Sequence, residues 1–249
     1  MAGIKKKRLD VLVFDKGLAN SRQRASALIM AGNILVDNQP VDKPGSMVSV
    51  DAEIVNKGPE LPFVSRGGFK IEKAIHSLNL DVSGLLCLDV GASTGGFTDC
   101  LLQRGASRVY AIDVGYGQLD WKLRQDPRVV VIERTNIRYA TEELLPEPFD
   151  LISIDVSFIS LKIVIPAIKK FLKKDGKILA LIKPQFEVGK NQVGKGGVVK
   201  DPKLHQSVIK ELSAFFSNTG FKIGPVIPSP ILGLKGNKEF IICLTMMAS

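Results

Sequence analysis

The sequence predicts an α/β chain: a small α+β unit over residues 1–60, a short connector at 61–65, and a larger unit over 66–249 with a doubly wound, mostly parallel sheet. Three observations predict it. The first 60 residues carry two helical segments and then short alternating strands. Beyond the connector, apolar strands alternate with helical stretches, and one buried strand runs straight into a glycine-rich loop ahead of a helix. The 249 residues, 45% hydrophobic and 24% charged, suffice for two cores.

In chain order, Leu9 to Leu18 has apolar residues near helical spacing. Ser21 stands where an N-cap belongs, and Arg22 to Ala31 forms a second helix closed by Gly32. Ile34 to Asp37 and Met47 to Val55 alternate as strands, with turns at Asn38-Gln39-Pro40 and Lys43-Pro44-Gly45. A unit this small lies near the lower limit for independent folding. Net charge is +9 overall, but it is split: +4 over residues 1–80, −5 over 81–159 and +10 over 160–249. Basic ends imply an anionic partner, of which nucleic acid is the commonest, while Lys169, Lys170, Lys173, Lys174 and Lys177 read as a solvated helix face.

The motifs R-L-D (Arg8 to Asp10), S-R-Q-R-A (Ser21 to Ala25), A-G-N-I-L-V-D-N (Ala31 to Asn38) and V-D-K-P-G (Val41 to Gly45) resemble the small RNA-binding domain of the S-four-type ribosomal protein. In that family the second helix lays its N-terminal end against RNA phosphates. The resemblance implies RNA contacts from Arg8, Ser21, Arg22, Arg24 and Lys43.

In the second unit, Leu85 to Val90, Arg108 to Ile112, Val129 to Glu133, Leu151 to Ile154, Lys177 to Ile182 and Phe240 to Leu244 read as strands. Gly96 to Arg104, Ser160 to Leu172 and Pro202 to Thr219 read as helices. The first strand enters Gly91-Ala92-Ser93-Thr94-Gly95-Gly96-Phe97, a loop whose glycines let backbone approach a ligand. It departs from the dinucleotide fingerprint, because Ser93 stands where that spacing requires glycine. Asp113 ends the next strand, where a carboxylate can accept from ribose hydroxyls, and Thr135-Asn136 would lie beside an adenine. Together these features resemble the class I (Rossmann-like) S-adenosylmethionine-dependent methyltransferases. That resemblance implies S-adenosyl-L-methionine as cofactor, held by Gly91, Ala92, Ser93, Thr94, Gly95, Gly96, Phe97, Asp113 and Asn136.

Asp155 and Lys183 each close an apolar strand at the ligand edge of the sheet, where a charge is costly unless paired. With Lys70 and Glu239 they give a Lys-Asp-Lys-Glu order that resembles the tetrad of FtsJ-like ribose 2′-O-methyltransferases. The motifs S-R-G-G-x-K, G-A-S-T-G-G-F-T, D-V-G-Y-G-Q-L, D-V-S-F-I-S, K-P-Q-F-E and K-G-N-x-E-F extend the likeness over nearly the whole chain. They resemble the TlyA family, whose members carry the names hemolysin and rRNA 2′-O-methyltransferase. The resemblance implies methylation of a cytidine ribose in ribosomal RNA, free or in an assembled subunit, in the cytoplasm and without a metal, with Arg66 among the RNA contacts. Lys183 would steer the 2′-hydroxyl or accept its proton, which needs a neutral amine; desolvation favours that form and Asp155 opposes it. Lys70 and Glu239 would orient the others.

Two other classes compete. A secreted membrane-active hemolysin needs an export signal or an apolar span, but only Val11 to Phe14 follow the Lys5 to Arg8 cluster, and no run approaches the roughly 18 apolar residues required to cross a bilayer. A non-catalytic RNA-binding assembly factor would not need the tetrad. Gly194-Lys195-Gly196-Gly197 fits an RNA-contacting loop and a plain turn equally. Cys87, Cys100 and Cys243 lack paired spacing and read as buried thiols in a reducing compartment.

Overall fold

The computed structural model describes residues 5–19, 21–57 and 62–247, which places Leu61 of the expected connector outside the described residues. The chain divides into two compact units, Met1–Pro62 and Phe63–Ser249.

In the first unit β1 (Lys6–Arg8) leads into α1 (Leu9–Asp15) and α2 (Arg22–Met30). β2 (Ile34–Val36), β3 (Gln39–Pro40), β4 (Met47–Ser49) and β5 (Ile54–Asn56) follow. Ser21 Oγ accepts from the Arg24 N–H at 3.1 Å and so caps α2. Leu9, Leu12 and Val13 of α1 and Ala25, Leu28 and Ile29 of α2 repeat at i, i+3, i+4 and face one another in a core completed by Ile34, Val36 and Ile54. The expected strand run Met47 to Val55 is divided, since β4 pairs with β1 while β5 pairs with β2 in a separate three-stranded sheet. β1 has no sequence signal, because its three exposed basic residues show no alternation.

The second unit contains α3 (Gly67–Ser77), β6 (Leu86–Val90), α4 (Gly96–Gln103), β7 (Arg108–Ile112), α5 (Trp121–Gln125), β8 (Val129–Ile132) and β9 (Phe149–Ile154). It continues with α6 (Leu161–Ile168), β10 (Leu172–Ile182), α7 (Pro184–Glu187), α8 (Pro202–Asn218), β11 (Phe221–Pro228) and β12 (Phe240–Met246). One seven-stranded sheet runs in the order β11-β12-β10-β9-β6-β7-β8, with β12 antiparallel to both its neighbours and the other pairings parallel. Alternating strand residues feed two cores. Leu88 and Val90 join α6 and α8 on one face, while Cys87 joins α3, α4 and Leu123 of α5 on the other. This is the doubly wound arrangement.

Phe63, from the expected connector, is buried in the second of these cores. The expected helix Ser160 to Leu172 ends at Ile168; one 3-10 turn follows, and the backbone is already in β10 at Leu172. Four elements of this unit escape the sequence pattern: α5 and α7, which are only five and four residues long, and α3 and β11. α3 begins with two glycines, and β11 is an edge strand carrying Gly224, Pro225 and a register shift, features that mask a strand signal. The three cysteines are buried and unpaired.

Candidate active site

Strand order reverses between β6 and β9, where open α/β sheets leave a crevice beyond the carboxyl ends of their strands. Gly91 leaves β6 there with φ +83°, and an added Cβ would lie 2.6 Å from the Asp155 carbonyl oxygen. Only glycine lets the 91–97 loop pass so close to β9. The Asp155 N–H donates to the Val90 carbonyl at 2.9 Å, which ties the two strand ends together.

Asp113, one residue beyond β7, accepts from the Ser93 N–H at 2.8 Å and the Gly115 N–H at 2.7 Å. These bonds fix its carboxylate at a cavity of about 440 Å³, which Gly91, Ser93, Asn136 and Val156 also line. Asn136 Oδ1 accepts from the Arg138 N–H at 3.1 Å and caps the 3-10 turn Ile137–Tyr139. A second cavity of about 500 Å³ is lined by Gly91, Ala92, Ser93, Thr94, Gly96 and Phe97 together with Arg66, Lys70, Asp155 and Lys183. Gly95 lines neither; it is the buried N-cap of α4, with φ +96°. The cavities share Gly91, Ser93, Asp155 and Ser157, so they adjoin.

Three of the four charged candidates, Lys70, Asp155 and Lys183, line this second cavity, and Glu239 lies behind Lys70. Lys70 Nζ lies 2.6 Å from Glu239 Oε2 and 3.8 Å from Asp155 Oδ2, and Lys183 Nζ lies 2.6 Å from Asp155 Oδ1. Charge therefore alternates along Glu239, Lys70, Asp155 and Lys183, and the cluster is neutral. Both short contacts lie off the hydrogen-bond direction, leaving Asp155 Oδ1 and Glu239 Oε2 without an aligned donor. Lys183 also donates to Ser157 Oγ at 2.9 Å. Arg66 is exposed at the cavity rim.

Several functional groups were invisible to sequence reasoning. Asp89, fully buried in β6, accepts from the Thr98 N–H and hydroxyl at 3.0 and 2.7 Å and from the Ser153 hydroxyl at 2.9 Å. Burial pushes its carboxyl up to about 6, against those donors. It joins the start of α4 to β9, holding the glycine loop between them. Asn237, 2% exposed, accepts from the Val199 N–H at 3.1 Å and donates to the Gly197 and Leu234 carbonyls at 3.0 and 3.1 Å. It fastens the 194–199 turn to the 231–235 wall of the larger cavity. Glu187 accepts from the Ser160 hydroxyl at 2.6 Å and the Leu161 N–H at 2.9 Å, which links the segment after Lys183 to the one after Asp155. Asn237 and Glu187 stand as letters in G-N-x-E and K-P-Q-F-E and Asp89 in neither, but a motif letter does not reveal a partner far away in sequence.

The same sheet edge presents aromatic rings beside arginines. The Arg134 guanidinium lies 4.1 Å from the Tyr116 ring centre, Arg138 lies 5.1 Å from that of Tyr139, and Phe158, 85% exposed, leans on Phe186. In the first unit Arg8, Arg22 and Lys43 are exposed, Arg24 is half-buried, and Ser21 spends its oxygen on the helix cap.

Fold and site define a class I methyltransferase domain preceded by a small α+β unit. The FtsJ-like methyltransferase model matches residues 63–246 and the S4 domain model residues 7–54. The chain belongs to the FtsJ-like methyltransferases and, among them, to the TlyA family. It is 47% identical to the 16S/23S rRNA (cytidine-2′-O)-methyltransferase TlyA of Mycobacterium tuberculosis, over 95% of this chain and 89% of that one. It is 40% identical to Hemolysin A of Brachyspira hyodysenteriae, over 94% and 98% of the two chains. A solved structure from Streptococcus thermophilus, assigned there only provisionally as a hemolysin, is 44% identical with a TM-score of 0.78, covering 99% of this chain and 90% of its own. Among the described residues no helix is long and apolar enough to cross a membrane.

Proposed function

We propose that this methyltransferase transfers a methyl group from S-adenosyl-L-methionine to the 2′-hydroxyl of a cytidine ribose in ribosomal RNA, free or in an assembled subunit, in the cytoplasm. Residues 1–60 would hold RNA and residues 66–249 would carry out the chemistry. The observation that supports this reading is the alternating tetrad, of which Lys70, Asp155 and Lys183 line a cavity that adjoins the Asp113 cavity while Glu239 backs Lys70.

The cofactor fits the residues present. Both cavities have volumes typical of small-molecule sites, and the two backbone donors on Asp113 leave it further lone pairs for ribose hydroxyls. Asn136 and Ile137 would flank the base, and Gly91 to Thr94 and Gly96 to Phe97 the remainder. When bound, S-adenosyl-L-methionine supplies a methyl group on a cationic sulfur that leaves as a neutral thioether. Lys183 Nζ, aimed by Asp155 and Ser157, steers the ribose oxygen; its resting ammonium must first give a proton to solvent before the amine can take the hydroxyl proton. Lys70 fixes Asp155 from the other side, and Glu239 fixes Lys70. Positioning of this kind can supply much of the acceleration.

The test is transfer of a labelled methyl group to deproteinised ribosomal RNA and to purified subunits, followed by mapping of 2′-O-methylation. Label at cytidine riboses is expected. Label on bases alone, or none on either substrate, would refute the proposal.

A further inference from the structure

Asp10 is an unusual residue for a basic RNA-binding face. It is only 4% exposed, yet three charge-assisted bonds converge on it. Arg8 Nε and Nη2 reach its two oxygens at 2.9 and 3.1 Å, and Arg22 Nη2 reaches Oδ2 at 3.1 Å. Both arginine side chains are nevertheless more than half exposed, at 52% and 57%. The backbone adds a third element: the Asp10 N–H donates to the Pro44 carbonyl at 3.0 Å and the Leu9 N–H to the Ser46 carbonyl at 2.8 Å. These bonds hold the Lys43–Ser46 turn against the start of α1, so that Gly45 lies beside the Arg8 guanidinium.

We infer that Asp10 is a positioning residue that presents Arg8 and Arg22 as a fixed pair to phosphates of the RNA backbone. The inference rests on the RNA-holding role proposed for this unit. A free arginine side chain must give up rotamer freedom on binding, whereas a guanidinium already gripped at one edge loses less and keeps its remaining N–H donors pointed outward. The two arginines exceed the charge of one carboxylate, so the cluster stays cationic. The Arg8 carboxylate partner also explains why the side chain is arginine, since a lysine cannot make the two-point contact.

The prediction has an unintuitive sign. Simple electrostatics says that removing a carboxylate from a basic face tightens RNA binding. Positioning says that Asp10→Asn, which keeps the side-chain shape, weakens it by about tenfold, within the range reached by couplings in one salt-bridge network. The measurement is binding of the full chain to deproteinised ribosomal RNA across a salt titration, with melting temperature recorded in parallel. The salt slope should fall by about one to two in magnitude, because fewer counterions are released. Arg8→Lys, which preserves charge, should give part of the same loss. In an Arg8→Ala/Arg22→Ala background, Asp10→Asn should cause no further weakening. Equal or tighter binding by Asp10→Asn at temperatures where it is folded, or an undiminished Arg8→Lys variant, overturns the inference. If Arg8→Ala/Arg22→Ala itself binds like wild type, the RNA role of the unit fails and the inference falls with it.

Discussion

Replacing Lys183 with alanine separates chemistry from binding more cleanly than any other change at this site. The deletion removes the ammonium 2.6 Å from Asp155 and changes the tetrad from neutral to singly negative. Breaking a buried ion pair costs about 3–5 kcal/mol, and here the cost should fall below that, to about 2 kcal/mol. The reason is that Asp155 is 21% exposed and retains Lys70 at 3.8 Å. A domain of ordinary stability, roughly 5–15 kcal/mol, stays folded through such a loss. Cofactor affinity should change far less than the rate, because Lys183 lines only the 500 Å³ cavity and not the Asp113 cavity that would hold the ribose and base. The methyl-transfer step should slow by about 100- to 10,000-fold, the range for a general acid–base group, equivalent to about 3–5.5 kcal/mol of barrier. Single-turnover transfer to ribosomal RNA at saturating S-adenosyl-L-methionine, with calorimetric cofactor titration, reads both quantities. Lys183→Arg keeps the charge but cannot readily become neutral. An Arg variant near wild-type rate would reduce Lys183 to a fixed charge, and an Ala variant within tenfold of wild type would refute its role.

Further expectations concern other parts of the molecule. Asp113→Ala should weaken S-adenosyl-L-methionine binding by about 10- to 100-fold, the loss of one or two hydrogen bonds to a charged acceptor, as read by calorimetry. Charge reversal at Arg22 and Arg24 should weaken RNA binding most visibly at moderate salt and leave cofactor affinity unchanged, as a salt titration would show. Asp89, raised to about 6 from 3.8, binds more protons folded than unfolded between those values. Its contribution to stability is therefore full below about pH 4 and lost as pH rises through 6, a swing of about 3 kcal/mol that Asp89→Asn should abolish in pH-dependent melting. Gly233→Ala should depress activity with cofactor binding retained, because the new methyl would collide with the Glu239 carboxylate and displace it from Lys70.

What the sequence made legible is what local pattern controls. Asp155 and Lys183 could be placed at the sheet edge because they follow the mostly apolar runs 151–154, broken only by Ser153, and 178–182, whereas Lys70 and Glu239 joined them only through the family resemblance. The glycine loop and Asp113 could likewise be placed by the strands they follow. Asp89 could not, because it sits inside the apolar run Leu86–Val90 and its donors, Thr98 and Ser153, come from α4 and β9. Asn237 was quoted only as a motif letter; its work is done on residues 38 and 40 positions away. Asp10 resembled one more member of a basic motif until the two arginines were seen to share it. In each case the missing information was the identity of a distant partner, which periodicity cannot carry.

The order of charges in the tetrad also makes its members unequal. Glu239 is the most enclosed carboxylate, its side chain 2% exposed, and its ammonium partner is Lys70. Lys70→Ala therefore strands the carboxylate least able to reach water, at about 3–5 kcal/mol. For a unit of this size that means a fall in melting temperature on the order of 10 °C, against roughly half that for Lys183→Ala. Inactivity of a Lys70 variant alone would thus mix unfolding with chemistry. The paired change Lys70→Met with Glu239→Leu removes both buried charges and should recover most of the stability, as apolar replacements of buried pairs often do. If the tetrad exists for stability, that double variant should be stable and active. If Lys70 and Glu239 serve to hold Asp155 and Lys183 in register for the ribose, it should be stable and inactive, and the difference between melting curve and methyl-transfer rate decides between them.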